Sequence, residues 1–397
     1  MFRFIKLSIL TLCLLTAVNT WAGGTLSERT YKRLTVIHQL IADSKYDEAL
    51  ERLDSLLPKV KNKAYEYATV MQTYGFAYAA KDNPRKAIES FSEALKQDAL
   101  PDGVQLSMGY NIAQLYAAIP DYAGAAKAYE AWFKKAESPS ADTFVFAATV
   151  YAQLNQYAKA IEKIKVAISM SEAPKESWYQ LLVAMYFERK QYSEAAKVLE
   201  ILVVLKPDDK KYWKQLSNVY FTLQRNTKAL SVMELANKRG FLTEEKELMN
   251  LVNLYLYQSS PYKAAMLLES EINKGRIPAT GENLHKLAEA WMRAQEDDEA
   301  ISYMLKAAEA QASGKLFLKA SQLYLEKEDW PRVIEITGKA LNTDNLDKVG
   351  TAHLVRGMAF YELGQLDKAR TEFRESSRFP ESQKQASQWM AHINTEH

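Results

Sequence analysis

The side chains with the most potential for chemistry fall in three windows in the second half of the chain. Lys211, Lys214 and Asn218 form the first, Lys246, Asn250 and Asn253 the second, and His285, Lys286 and Glu289 the third. Ammonium and amide donors gathered in one place suit a carboxylate, through charge-assisted hydrogen bonds, or form a polar groove for some other extended segment. Nothing comparable points to catalysis. The chain has no paired-histidine zinc motif, no serine elbow, no phosphate-cradling glycine loop and no calcium loop. Its histidines, His38, His285, His353, His392 and His397, are dispersed. The acids Glu296, Asp297, Asp298 and Glu299 are consecutive, but they stand where a turn between helices is expected and solvated charge is the ordinary state. These observations predict no catalytic residue, no metal site, no cofactor and no enzyme.

The elements that must position those windows recur along the chain. A Tyr is followed nine residues on by an Ala, and four further on by an aromatic or large aliphatic residue. Tyr78, Ala87 and Phe91 begin the series, followed by Tyr116, Ala125 and Tyr129, then Tyr151, Ala160 and Ile164. Tyr186, Ala195 and Leu199 continue it, with Tyr220, Ala229 and Met233, then Tyr255, Ala264 and Leu268. Substituted copies are Trp291, Ala300 and Met304, then Tyr324, Val333 and Thr337, then Phe360, Ala369 and Phe373, and a degenerate first copy is Leu40, Ala49 and Leu53. Successive anchors lie 33 to 38 residues apart, the spacing of a helical-hairpin array.

Each copy reads as two helices. A small residue three before the Tyr position, such as Gly75, Ala113, Ala148, Ala288 or Gly357, admits the paired helix. Turn signals follow at Lys81-Asp82-Asn83-Pro84, Pro120-Asp121, Leu154-Asn155-Gln156 and Leu363-Gly364-Gln365. Tyr46, Tyr122, Tyr157, Tyr192, Trp330 and Leu366 open second helices, and Pro139, Pro174, Pro207 and Pro380 separate copies. Residues 381–393, with Ala386, Trp389 and Ile393, form a last amphipathic helix.

Over about residues 28–380 this pattern resembles the tetratricopeptide-repeat family. The resemblance implies an all-α solenoid superhelix of about ten helical hairpins plus a C-terminal capping helix. It also implies a groove lined by the first helices, at positions 18, 15, 14 and 11 before each anchor. Some family members hold a peptide's C-terminal carboxylate there in a clamp of Lys, Asn, Asn, Lys and a further basic residue. Lys214, Asn218, Asn250 and Lys286 match four of those places, whereas Glu282 stands where a Lys is wanted. An acid there repels a carboxylate, and the lysines then have Glu282 and Glu289 as alternative partners.

Residues 1–22 read as a signal peptide. Arg3 and Lys6 precede the apolar stretch Leu7 to Val18, and Thr20-Trp21-Ala22 ends on a small residue. Cleavage leaves residues 23–380 as the array and 381–397 as cap and tail, in the periplasm. It removes two of the 51 basic residues against 49 acidic ones, so the remainder is neutral, and it removes Cys13, the single cysteine. A neutral chain has no global field for nucleic acid or anionic lipid, and no later stretch is apolar enough for a membrane span. The expected role is a periplasmic scaffold holding a protein or extended peptide of an envelope complex. The layout is similar to repeat proteins that accompany TonB-type systems in Gram-negative bacteria. Other readings are an accessory factor for outer-membrane or pilus assembly, and a peptidoglycan- or glycan-associated factor using Phe187, Phe221 and Tyr257.

Overall fold

A computed structural model describes residues 25–395. The expected signal peptide and His397 lie outside the described residues. All regular structure among the described residues is helical, in 21 helices. The chain divides into two compact units, Met1–Val198 and Leu199–His397.

In the first unit, α1 (Glu28–Ala42) pairs with α2 (Tyr46–Val60), and α3 (Ala64–Ala80) with α4 (Pro84–Lys96). Next come α5 (Asp102–Ala118) with α6 (Tyr122–Phe133), and α7 (Ala141–Gln153) with α8 (Tyr157–Ser169). Then α9 (Glu176–Glu188) leads to α10 (Tyr192–Leu205), inside which the unit boundary falls. In the second unit, α11 (Lys210–Thr222) pairs with α12 (Asn226–Lys238), and α13 (Glu245–Tyr257) with α14 (Pro261–Asn273). The remaining pairs are α15 (Gly281–Arg293) with α16 (Asp297–Ala310), α17 (Gly314–Glu326) with α18 (Trp330–Leu341), and α19 (Val349–Glu362) with α20 (Leu366–Ser376). Finally α21 (Gln383–Thr395) packs on α20. The six residues expected to open second helices, Tyr46, Tyr122, Tyr157, Tyr192, Trp330 and Leu366, each begin one. No helix among the described residues is long and apolar enough to cross a membrane.

The recurring anchors are packing positions. Ala49, Ala87, Ala125, Ala160, Ala195, Ala229, Ala264, Ala300, Val333 and Ala369 are all at 0 % exposure. The large residue one turn on is buried in every copy, Thr337 included. Small residues answer it from the first helix. A Cβ on Gly75 would overlap the Phe91 ring, and one on Gly357 would sit 2.7 Å from the Phe373 ring. The hairpin therefore closes only with a near-naked backbone there. At the C-terminus, Trp389 of α21 stacks on Phe373 with centroids 5.6 Å apart, while Ala386 and Ile393 are buried.

Turns within hairpins share one geometry. The residue five before the anchor has positive φ at Ser44, Asp82, Asn155, Lys190, Gln224, Ser259, Gln295, Glu328 and Gly364. The next residue's amide donates back to the carbonyl of the Tyr position, as from Gln156 to Tyr151 at 2.9 Å and from Arg225 to Tyr220 at 2.8 Å. That six-residue bond is the Schellman closure of a helix C-terminus.

The Tyr surplus has a physical use. Tyr151 donates to Glu130 at 2.7 Å, Tyr255 to Glu234 at 2.8 Å, and Tyr220 to Glu200. Each acceptor stands five residues after the preceding anchor. The Lys just before the anchor caps the ring face: Lys159 over Tyr151 at 5.2 Å, Lys228 over Tyr220 at 5.3 Å and Lys263 over Tyr255 at 5.6 Å. Lys263 also reaches Glu234 at 3.1 Å. Hydroxyl, ammonium and carboxylate thus tie one hairpin to its predecessor, by cation–π contact and charge-assisted bonding.

Candidate functional site

The three windows singled out in the sequence lie on α11, α13 and α15. Each helix starts at a defined cap. The Asp209 side chain accepts from the Lys211 amide at 2.9 Å, and the Thr280 hydroxyl from the Asn283 amide at 3.2 Å. On α13, Glu244 and Glu247 form a reciprocal capping box. One stripe of each helix is core: Trp213, Leu216 and Tyr220 on α11, Leu248, Leu251 and Tyr255 on α13, and Leu284, Leu287 and Trp291 on α15. That burial orients a second stripe outward. Lys211, Asn218, Lys246, Asn250, Asn253 and Glu282 are exposed, and Lys214, His285, Lys286 and Glu289 are half-buried.

Side chains of this outward stripe meet from helix to helix. Lys214 makes an ion pair with Glu247 of α13, and Lys286 Nζ lies 3.5 Å from Asn253 Oδ1. Glu289 is shared by Lys319 of α17 at 3.3 Å and His285 Nε2 at 3.4 Å. The His285 contact is not aligned as a hydrogen bond. Burial lowers the His285 pKa, with Lys319 and Lys315 adding to that and Glu289 opposing it, so its ring is neutral at neutral pH. Burial alone would push the Glu247 carboxyl up. Hydrogen bonds from Lys214 and from the Thr243 and Glu244 amides outweigh it and hold the group below the usual carboxylate range.

Two aromatic rings extend the stripe toward the helix C-termini. Phe221 is 53 % exposed and Tyr257 66 % exposed, with centroids 6.3 Å apart and planes at 67°. Phe221 lies three residues after Asn218, and Tyr257 four after Asn253, so each shares a helix face with its amide. Phe187, grouped with them in the sequence, belongs to the first unit and packs half-buried against Tyr192.

Sequence reasoning offered Glu282 and Glu289 as alternative partners of the lysines. The structure instead gives Lys214 to Glu247 and Lys286 to an amide, while Glu289 is held by Lys319. Glu247 was missed because it occupies no groove position. Its signal was the Glu-x-x-Glu of residues 244–247, which predicts a capped helix start. The acids from Asp297 to Glu299 form the first turn of α16, where the helix dipole favours them, and Asp298 pairs with Lys327. Among the described residues, no group of three or more His, Cys, Asp or Glu side chains is placed to hold a metal ion.

Residues 77–142 match the tetratricopeptide repeat family profile. No curated protein matches the sequence. Solved structures similar to the chain include a tetratricopeptide repeat protein from Parabacteroides merdae, at 15% identity and a TM-score of 0.40, covering 67% of this chain and 100% of that one. Another is the C-terminal part of a repeat protein from Cytophaga hutchinsonii, at 18% identity and a TM-score of 0.35, covering 59% and 95%. A third is YrrB, described as having an unusual peptide-binding site, at 16% identity and a TM-score of 0.37, covering 46% and 90%. These scores are too low for any property of those proteins to pass to this chain.

Proposed function

Taking the chain as the tetratricopeptide-repeat protein that its hairpins and the match at residues 77–142 make it, we propose that it is a non-catalytic scaffold. In this reading it is exported to the periplasm and holds an extended protein segment of an envelope complex on the outward face of α11, α13 and α15. One observation carries the binding face. On α11 and α13, exposed amide, ammonium and aromatic groups line up in a stripe that no core packing uses, and α15 continues it with exposed Glu282 and half-buried Lys286. Export is supported by the basic, apolar and small-residue order of residues 1–22. Placement beside a TonB-type system rests on the chain layout. The steep angle between Phe221 and Tyr257 favours a peptide over a glycan, since it leaves no flat pair of rings for a sugar face.

A photo-crosslinking residue at Asn250, with one at an outer position such as Lys238 for comparison, tests the reading in intact cells. Crosslinks to an envelope protein from Asn250 and not from Lys238 are expected, and a TonB-system component among them carries the narrower placement. Crosslinking only to cytoplasmic proteins, or equally from both sites, overturns the reading.

A further inference from the structure

Building on that reading of the stripe, we infer that its occupant is an internal stretch of an extended polypeptide, anchored by an aromatic or aliphatic side chain on Phe221 and Tyr257. A free chain terminus is not what this surface is built for. Three observations lead there.

The ammonium at the centre of the expected clamp is already paired. A terminal carboxylate binds where ammonium groups are unneutralised. Lys214 is paired with Glu247, and the other Glu247 oxygen accepts from the Thr243 amide at 3.1 Å and the Glu244 amide at 3.4 Å. Those bonds belong to the cap of α13, so Glu247 cannot swing aside without unmaking the helix start. Lys286 keeps its charge beside the neutral Asn253 amide, but Lys319 balances Glu289, and Glu282 adds an exposed negative charge on the same stripe. A carboxylate arriving at Lys214 would meet a second carboxylate already there.

The exposed amides suit a different ligand. Asn218 and Asn250 each present a donor and an acceptor on one planar group, as a peptide unit does. A carboxylate offers acceptors only and leaves half of each amide unused. Beside the amides stand two rings, each more than half exposed, in edge-to-face contact across α11 and α13. Large aromatic surface left to water on adjacent first helices gains from being covered by an apolar side chain. Backbone bonded along Asn218 and Asn250, with one such side chain over the rings, uses both the exposed amides and the exposed rings.

The test uses the mature chain and random peptides in two display formats, one with the peptide's C-terminus fused to the carrier and one with it free. Enrichment is expected from the fused format, with an aromatic or aliphatic residue recurring in the selected sequences. A selected peptide should bind equally as acid and amide, within about twofold, and lose at least about tenfold on Phe221→Ser with Tyr257→Ser. Lys214→Gln should cost less than about threefold. Both rings are exposed, and an unchanged circular dichroism spectrum and melting temperature confirm that the double variant is folded. Selection only from the free-terminus format, or a loss of about tenfold on amidation, overturns the inference and leaves the groove reading standing. Enrichment from neither format, or peptides indifferent to both Asn250→Ala and the ring variant, sinks the groove reading and the inference with it. Binding of a chitin oligosaccharide that the ring variant abolishes, in place of peptide, also overturns the inference.

Discussion

The Tyr255 hydroxyl donates to the Glu234 carboxylate at 2.8 Å, from the first helix of one hairpin to the second helix of the hairpin before it. Lys263 lies over the same ring and reaches the same carboxylate, so three side chains close one boundary. Tyr255→Phe keeps the ring and its cation contact but removes the bond. It should destabilise the protein by about 1–2 kcal/mol, since the acceptor is charged but partly solvated. Denaturant unfolding checks this, and a change indistinguishable from zero would show that the trio does not carry the boundary.

The same ladder gives a pH dependence. Burial, then the Glu200 acceptor, pushes Tyr220 up to about 12 from an ordinary value of 10.0. A folded-state pKa above the unfolded one means that the stabilisation is fully present below pH 10 and is lost as pH rises toward about 12. Melting temperature should therefore fall over that window, and Tyr220→Phe should flatten the fall. A variant with an unchanged slope would remove this tyrosine from the account.

Anchor and stripe positions should respond oppositely to substitution. Ala160 is fully buried at a helix-pairing position, so Ala160→Leu should cost about 1–3 kcal/mol through overpacking. Lys246 is exposed on the stripe, and Lys246→Ala should stay within about 0.5 kcal/mol. Equal thermal shifts for the two would contradict the assignment of core and outward faces.

Turn positions offer gains in stability. Lys190 and Gln224 are exposed and hold φ values of 54° and 56°, a conformation that costs a side-chain-bearing residue about 1–2 kcal/mol. Lys190→Gly and Gln224→Gly should each stabilise by roughly 0.5–1 kcal/mol after the added freedom of the unfolded chain is counted. Gly364→Ala, at φ 69°, should destabilise by about 1 kcal/mol. Calorimetric melting of the three variants decides it, and a destabilising Gln224→Gly would mean that its side chain holds the turn.

The hairpins were legible in sequence because the residues that make them are packing residues, repeated wherever the same contact recurs. Ala229 and Met233 are buried for the same reason as Ala264 and Leu268, so spacing alone exposes them. The state of Lys214 was not legible in this way. It depends on Glu247, a capping residue whose side chain reaches α11 only because of how α13 begins, and no repeat position records that. Likewise Phe221 and Tyr257 occupy neighbouring helix positions rather than the same one, and only side-chain geometry shows that they touch.

The trios of Tyr220 and Tyr255 also bear on how such a chain can change length. Tyr220 takes its acceptor from the copy before, while Glu234 of the same copy supplies the acceptor for Tyr255 of the next. A gene duplication of this one copy would therefore bring an acid opposite a hydroxyl and a lysine above its ring at the new junction. Growth or loss of hairpins needs no newly invented contact at that place. The outward stripe can then change copy by copy without disturbing this trio, because the two share no residue.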